Sequence, residues 1–295
     1  MNARSIGILS VLLASFLWAF EPVLAKLSYQ SSDFEHTLAV RAMLVTLTAL
    51  VYVVMTNRGN FRIDRRQLSA LVYVAFAANV FGDIAYFLAL TRIPVVNAVL
   101  IGNLQPIFIV MMGFLVLREE RLSKFDYLAI VVMMTAGFLV ATRSLENLMA
   151  FRLGTYGDLV VLSATVAWST TTIAFRKYLK EMNAGVVTFY RFLFASLVFA
   201  AYLVSSSGFG ALNMYQIIIG VVVGVGTILY FEGLKRNKAA EVSSFELSTP
   251  LFAAVLGFLI LGELVTQLQI VGMSLLVIGV FLLSRRDIPV PFRCC

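Results

Sequence analysis

Six ionisable side chains stand where such groups are costly. Glu21, Arg41, Asp83, Arg191, Glu232 and Glu246 lie within long apolar stretches of a 295-residue chain. A charge at the centre of a bilayer costs roughly 2.5–3.5 kcal/mol on insertion scales, so it must be paired, reach water, or serve a function. The six divide by position. Glu21, Arg41 and Asp83 occupy the first half of the chain, and Arg191, Glu232 and Glu246 the second. Each trio holds two acids and one base, a formal charge of −1. The plain reading makes each trio an ion-paired clasp inside a helix bundle, or a group of heads snorkelling to water. The sharper reading makes them two gates that close alternately, with a proton or another cation biasing which one is shut.

Uncharged groups with binding chemistry accompany them. Trp18 and Trp168 are the only tryptophans. Both fall in mid-stretch, away from the interfacial aromatic belt. Helical spacing puts Ser15 and Pro22 on the face of Trp18, and Thr165 and Thr172 on the face of Trp168. Such faces suit either a cavity for an amphipathic small molecule, with the indole N–H as donor, or close helix packing through small polar residues. Pro106 and Pro250 each lack an N–H and free a carbonyl one turn back. They mark either a simple kink or a broken helix whose neighbours, Gln105 and Thr249, line a polar path. Asn79, Asn103, Tyr86, Tyr190 and Tyr230 are further cavity candidates. Lys26 reads as a snorkelling interfacial cation. Glu119 and Glu263 read as structural acids that pair with neighbouring segments.

Composition excludes several classes. The chain is 60% hydrophobic and 13% charged, with a mean hydropathy of +0.92. Soluble domains are nearer 45–50% apolar and about 25% charged. The net charge of +7 comes from residues spread over short loops, which argues against nucleic acid. Cys294 and Cys295 are the only cysteines, too few for a disulfide framework or a metal site. They read as part of a cytoplasmic tail, with lipidation as the other option. One histidine, His36, and the absence of P-loop, His-Glu-x-x-His and Asp-Asp-x-x-Asp patterns speak against an enzyme and against ATP as a driver. No cofactor is expected.

The elements that must position these residues are membrane helices. Ten apolar runs recur, at 6–27, 37–56, 68–90, 95–117, 125–142, 155–178, 184–204, 212–234, 241–262 and 267–284. Each suffices to cross about 30 Å of hydrocarbon. The first run contains Glu21 and Lys26 and exceeds a signal-peptide core, so it is expected to be a mature helix. With both termini cytoplasmic, 17 of the 23 Lys and Arg residues fall inside, while Arg92, Arg143 and Arg152 fall outside. That bias orients the chain. It places the first trio near the outer face and the second near the inner face.

The runs repeat. Residues 241–263 and 97–119 align at an offset of 144 with seven of 23 positions identical, including Pro106/Pro250 and Glu119/Glu263. Trp18 meets Trp168 and Arg41 meets Arg191 at an offset of 150, and Tyr86-Phe87 meets Tyr230-Phe231 at 144. Five helices make an odd number, so the second copy enters the membrane from the opposite side. The expected architecture is an all-α integral membrane protein of ten transmembrane helices. Residues 1–146 form one five-helix repeat and 147–295 its inverted copy, within a single membrane domain. Inverted repeats let a site between them face one side and then the other.

The chain resembles the drug/metabolite transporter superfamily, specifically its EamA-like ten-helix group. The resemblance rests on Trp18 in SFLWAFEPVLAK, on Arg41 and Arg191, and on the Pro-to-Glu segments NLQPIFIVMMGFLVLREERLS and STPLFAAVLGFLILGEL. It covers nearly the whole chain. Arg118 departs from the glycine that often precedes the acid at Glu119, and Glu246 maps to no known family role. The resemblance implies a secondary transporter with its site in a central cavity between the halves, commonly exporting amino acids, other metabolites or drugs.

Together these features predict alternating-access transport of a small polar or amphipathic metabolite across the plasma membrane, by export, with protons as a candidate coupling ion. Import of a vitamin or nucleoside-like compound is the alternative within transport. A membrane enzyme or a non-transporting membrane subunit is the alternative in another class. Oligomeric state is left open.

Overall fold

The computed structural model describes residues 3–56, 61–112, 124–150, 154–206, 210–237, 242, 245–246 and 248–284. Arg118, Glu119, Arg121, the 113–119 portion of the first twin segment, and Cys294 and Cys295 lie outside the described residues. Among those described, all regular structure is helical. The helices are α1 (Ala3–Ser28), α2 (Phe34–Thr56), α3 (Arg65–Leu90), α4 (Val95–Gly102), α5 (Gln105–Met112), α6 (Lys124–Thr142), α7 (Leu145–Met149), α8 (Tyr156–Leu179), α9 (Ala184–Ser205), α10 (Met214–Arg236), α11 (Ser248–Leu261) and α12 (Gln267–Ser284).

Six of them, α1, α2, α3, α8, α9 and α10, have the length and hydropathy to cross a membrane. Shorter apolar helices occupy Val95–Ile109, Tyr127–Thr142, Ser248–Leu261 and Gln267–Leu282. This is a multi-pass membrane protein. Its outer surface agrees: Leu47, Val54, Phe81, Val131, Leu197 and Phe281 are exposed although apolar, as lipid-facing residues are.

Helix ends follow local chemistry. Asp64 and Gln67 form a capping box at the start of α3, Thr155 and Asp158 one at α8, and Asn213 and Gln216 one at α10. Gly262 takes φ +68° to end α11, a conformation glycine adopts without steric cost. The fourth apolar run is interrupted. Asn103 sits at φ −76°, ψ 5°, between α4 and α5, and Pro106 is the second residue of α5. The proline therefore stands in a first helical turn, where its missing N–H costs little. Instead of kinking a continuous helix at Pro106, the chain breaks just before it.

The halves interdigitate. The broadest contacts are α1 with α10, α6 with α12, and α2 with α9 and α10, each joining one half to the other. Small residues permit them. A Cβ on Gly233 would meet Val11 Cγ2 at 2.4 Å, and one on Gly220 would meet Leu44 Cβ at 2.3 Å. One apolar cluster draws Val23, Phe87 and Leu100 from the first half and Phe192, Ile219 and Leu276 from the second.

Candidate functional site in a cavity between the halves

A cavity of about 220 Å³ lies in the middle of the bundle. Its lining comes from both halves and includes Trp18, Glu21, Arg41, Asp83, Tyr86 and Asn103 from the first, and Trp168, Thr172, Arg191, Tyr230, Glu246 and Thr249 from the second. The sequence therefore named much of its wall.

The first trio assembles. Arg41 Nη1 donates to Asp83 Oδ2 at 2.6 Å, and Arg41 Nε lies 2.6 Å from Glu21 Oε1. Neither Arg41 Nε nor Glu21 Oε1 has a directional hydrogen bond among the described residues. The Glu21 contact is thus mainly ionic, and the Asp83 contact carries the hydrogen-bond geometry. Asp83 is further held by Asn79 Nδ2 at 3.1 Å and Trp168 Nε1 at 3.3 Å. The Arg41 guanidinium also lies over the rings of Phe87 and Phe192, 5.3 and 5.4 Å from their centroids. Arg41 and Asp83 are only 6% and 4% exposed, so this charge cluster is a buried one.

The second trio does not assemble. Glu232 pairs along its own helix with Arg236 and with Lys235, the latter at 3.8 Å, and does not reach the cavity. Three- and four-residue spacing on a helix makes that pairing local. Arg191 donates from Nε to Asn79 Oδ1 at 2.8 Å and lies over Phe192 and Phe231. Glu246 shares a side-chain hydrogen bond with Tyr230. Arg191 and Glu246 therefore face the cavity without each other, and Glu232 leaves the expected set.

The tryptophans occupy matching places. Trp168 packs on Tyr86 with centroids 5.3 Å apart, and Trp18 on Tyr230 at 4.9 Å. A Cβ on Gly82 would meet Trp168 Nε1 at 2.6 Å, and one on Gly226 would meet Trp18 Nε1 at 3.0 Å. Gly82 and Gly226, like Tyr86 and Tyr230, are 144 residues apart. Each tryptophan thus crosses to a Gly-x-x-x-Tyr face in the other half. These glycines, which let the tryptophans approach, are positions that sequence reasoning missed. The signal was present: they keep the repeat offset and stand one helical turn before the tyrosines. Trp168 Nε1 also reaches Ala78 O at 3.3 Å. Ala78 lies in a π-helical stretch of α3, Ala75–Gly82, where the wider turn loosens the normal carbonyl pairing.

The remaining candidates separate. Thr172 Oγ1 accepts from Gln105 Nε2 at 3.1 Å, joining α8 to α5 at the cavity wall. Asn103 lines the cavity while its amide donates to Val99 O at 2.8 Å. Thr249 Oγ1 is buried without a hydrogen-bond partner among the described residues. Tyr190 points elsewhere, donating to Phe61 O at 2.8 Å.

At one end of the bundle, polar contacts tie the halves together. Glu263, just beyond α11, takes Lys26 Nζ at 2.7 Å on one oxygen and the Val95 N–H at 2.8 Å on the other. Lys26, expected to snorkel, is instead an ion-pair partner. Nearby, Gln269 donates to Asn97, and Asn97 donates to Asp158 at 3.0 Å. Asn213 reaches Ser28 Oγ at 3.0 Å, and Gln216 reaches Ser32 and Thr37. Tyr29, just past α1, donates to Phe87 O at 3.1 Å, and burial pushes its phenol well above the ordinary tyrosine value. Among the described residues, no group of three or more His, Cys, Asp or Glu side chains could hold a metal ion.

A helical membrane bundle with a cavity walled by both halves and lined by charged and aromatic side chains has the form of a solute carrier. The chain belongs to the EamA-like transporter family, matching it over residues 5–142 and 155–285. It is 27% identical over 238 residues to an uncharacterized transporter of Synechocystis sp., covering 75% of this chain and 66% of that protein. The match thus spans about two thirds of that relative's length. It is 24% identical to the pseudopaline exporter of Pseudomonas aeruginosa over 95% of this chain and 96% of that one. It is 21% identical to a riboflavin transporter of Fusobacterium nucleatum, covering 95% and 97%. A solved crystal structure shares the fold with a TM-score of 0.68 at 19% identity, over 96% of this chain.

Proposed function

We propose that the protein is a secondary active transporter. It moves a small polar or amphipathic metabolite, amino-acid-like or drug-like, across the plasma membrane by alternating access, in the export direction. The observation that carries this reading is the cavity between the halves, flanked by two equivalent Trp–Gly/Tyr contacts. A site shared by inverted repeats can exchange its exposure when the repeats exchange conformations. The proposed architecture has ten transmembrane helices in repeats 1–146 and 147–295, with both termini cytoplasmic. The four shorter apolar helices supply the crossings beyond the six long ones.

In that orientation the Glu263 contacts lie at the outer face. The closed Glu21–Arg41–Asp83 trio and the Lys26–Glu263 pair then describe a shut outer gate. The second half makes no matching clasp: Glu232 pairs along its own helix, while Arg191, joined to Asp83 through Asn79, and Glu246 face the cavity. Glu21 and Glu246 are the candidate carboxylates for proton coupling, since both face the cavity. The relative named a pseudopaline exporter favours export. The relative named a riboflavin transporter keeps a vitamin-like solute as the second reading.

The test is flux. Purified protein in liposomes is loaded with a bacterial metabolite extract, and the outside is followed by mass spectrometry with and without an imposed pH gradient. The reading expects at least one solute to leave faster than from protein-free liposomes. No protein-dependent efflux of any solute would overturn it.

A further inference from the structure

The two repeats differ around their equivalent arginines. Arg41 and Arg191 are equivalent, 150 residues apart. Arg41 is neutralised by Glu21 and Asp83. At the same repeat offsets, 150 and 144, the second half carries Thr171 and Thr227. Both threonines line the cavity. The second copy has the guanidinium and an aromatic bed, Phe231 in place of Phe87. Where the first copy has two acids, the second has neutral hydroxyls. Arg191 has no carboxylate within ion-pair distance among the described residues; its Nε donates to Asn79, which stands between it and Asp83. A guanidinium carries five donors in a fork that suits a carboxylate.

Glu246 supplies the other sign. Five charged side chains line the cavity: Glu21, Arg41, Asp83, Arg191 and Glu246. Three of them close on one another; Arg191 reaches Asp83 only through Asn79, and Glu246 stands outside the cluster. Glu246 is joined to Tyr230 and to no cation among the described residues. Tyr230, Arg191 and Glu246 all line the same cavity. Trp18 packs against the Tyr230 ring at a tilt of 44°, with the centroids 4.9 Å apart.

Building on the transport reading, we infer that Arg191 with Thr171 and Thr227 is an anion subsite, and that Glu246 is a cation subsite beside it. The solute is amphoteric. Its carboxylate is held by Arg191, its ammonium group rests against Glu246, and its apolar body lies on Trp18 and Tyr230. A purely anionic or purely cationic solute leaves one buried charge unpaired.

Thermal unfolding of the full-length protein in detergent tests this. The probes are the twenty proteinogenic amino acids, each compared with the amine and the carboxylic acid of the same carbon skeleton. At least one amino acid is expected to raise the midpoint. Its matched amine and acid are expected to bind more weakly by about 30-fold or more, the usual consequence of leaving one member of a buried charge pair unpartnered. Arg191→Gln and Thr227→Asp are each expected to abolish the response. Thr227→Asp leaves the arginine in place and gives it the acid that Arg41 already has. Glu246→Gln is expected to shift preference from the amino acid to the matched acid. Midpoints without probe report whether each variant is folded. Wild-type protein unmoved by every amino acid would overturn the assignment, as would a response that survives in both Arg191→Gln and Thr227→Asp. If amino acids fail while other metabolites still leave loaded liposomes, the amphoteric assignment falls and the transport reading stands.

Discussion

Removing the Arg41 guanidinium while leaving its two acids is the most severe single change the cavity offers. Arg41 touches Asp83 and Glu21 at 2.6 Å each. At an effective dielectric of about 20, unit charges about 4 Å apart attract by about 4 kcal/mol. Arg41→Gln forfeits two such attractions and leaves two carboxylates facing each other. Relaxation and water penetration return part of this loss. Breaking a buried pair from one side typically costs about 3–5 kcal/mol, and that is the expected destabilisation. The triple variant Glu21→Gln/Arg41→Gln/Asp83→Asn removes all three charges and should recover most of it. Equilibrium unfolding by a denaturing detergent, followed by tryptophan fluorescence, measures both. An Arg41→Gln protein as stable as wild type would refute the electrostatic account of the trio, as would a triple variant no better than the single one.

Other predictions follow from the same geometry. Gly82→Ala places a methyl group 2.6 Å from Trp168 Nε1, whereas Gly226→Ala places one 3.0 Å from Trp18. Overpacking of this kind costs about 1–3 kcal/mol, and Gly82→Ala should be the worse. In a Trp18→Phe background, Trp168 emission should shift only for Gly82→Ala. Neutralising the cavity carboxylates by Glu21→Gln or Glu246→Gln should flatten the pH dependence of efflux in at least one case. An unchanged profile in both would exclude proton coupling through either. Tyr29 carries a raised phenol value because it is buried. Its contribution is complete below the ordinary tyrosine value of about 10 and is lost as pH rises towards the higher folded value. Tyr29→Phe should therefore weaken the alkaline loss of stability, read as the unfolding midpoint against pH.

How legible was this protein in its sequence? The membrane class and the family followed from hydropathy and from a few motif residues, because the bilayer dictates helix length and composition so strongly. Glu21, Arg41 and Asp83 were legible as one trio and Trp18 and Trp168 as an equivalent pair, whereas their meeting with Tyr86 in one cavity was visible only in three dimensions. The second trio was not. Spacing cannot say whether Glu232 turns to Arg236 four residues along its own helix or inward to Arg191, and the local partner won. Lys26 was read as snorkelling because Glu263, its partner, lies 237 residues away. The break at Asn103 was hidden because Pro106 marks where a helix is interrupted without fixing which side of the proline yields. Gly82 and Gly226 were readable from the repeat, yet a glycine acquires meaning only when its tryptophan is seen against it.

The central claim is that the cavity opens to one face at a time. Thr249 is buried on the cavity wall, and cysteine is close to it in size. In a Cys294→Ser/Cys295→Ser background, Thr249→Cys is exposed to a membrane-impermeant thiol reagent, applied to intact cells or to inside-out vesicles. The account predicts slow labelling from outside while Lys26 and Glu263 are intact. It predicts faster labelling from outside, and slower labelling from inside, when Glu263→Gln and Lys26→Met release the pair. Labelling from outside that is indifferent to that pair, or rates that rise together on both faces, would contradict it.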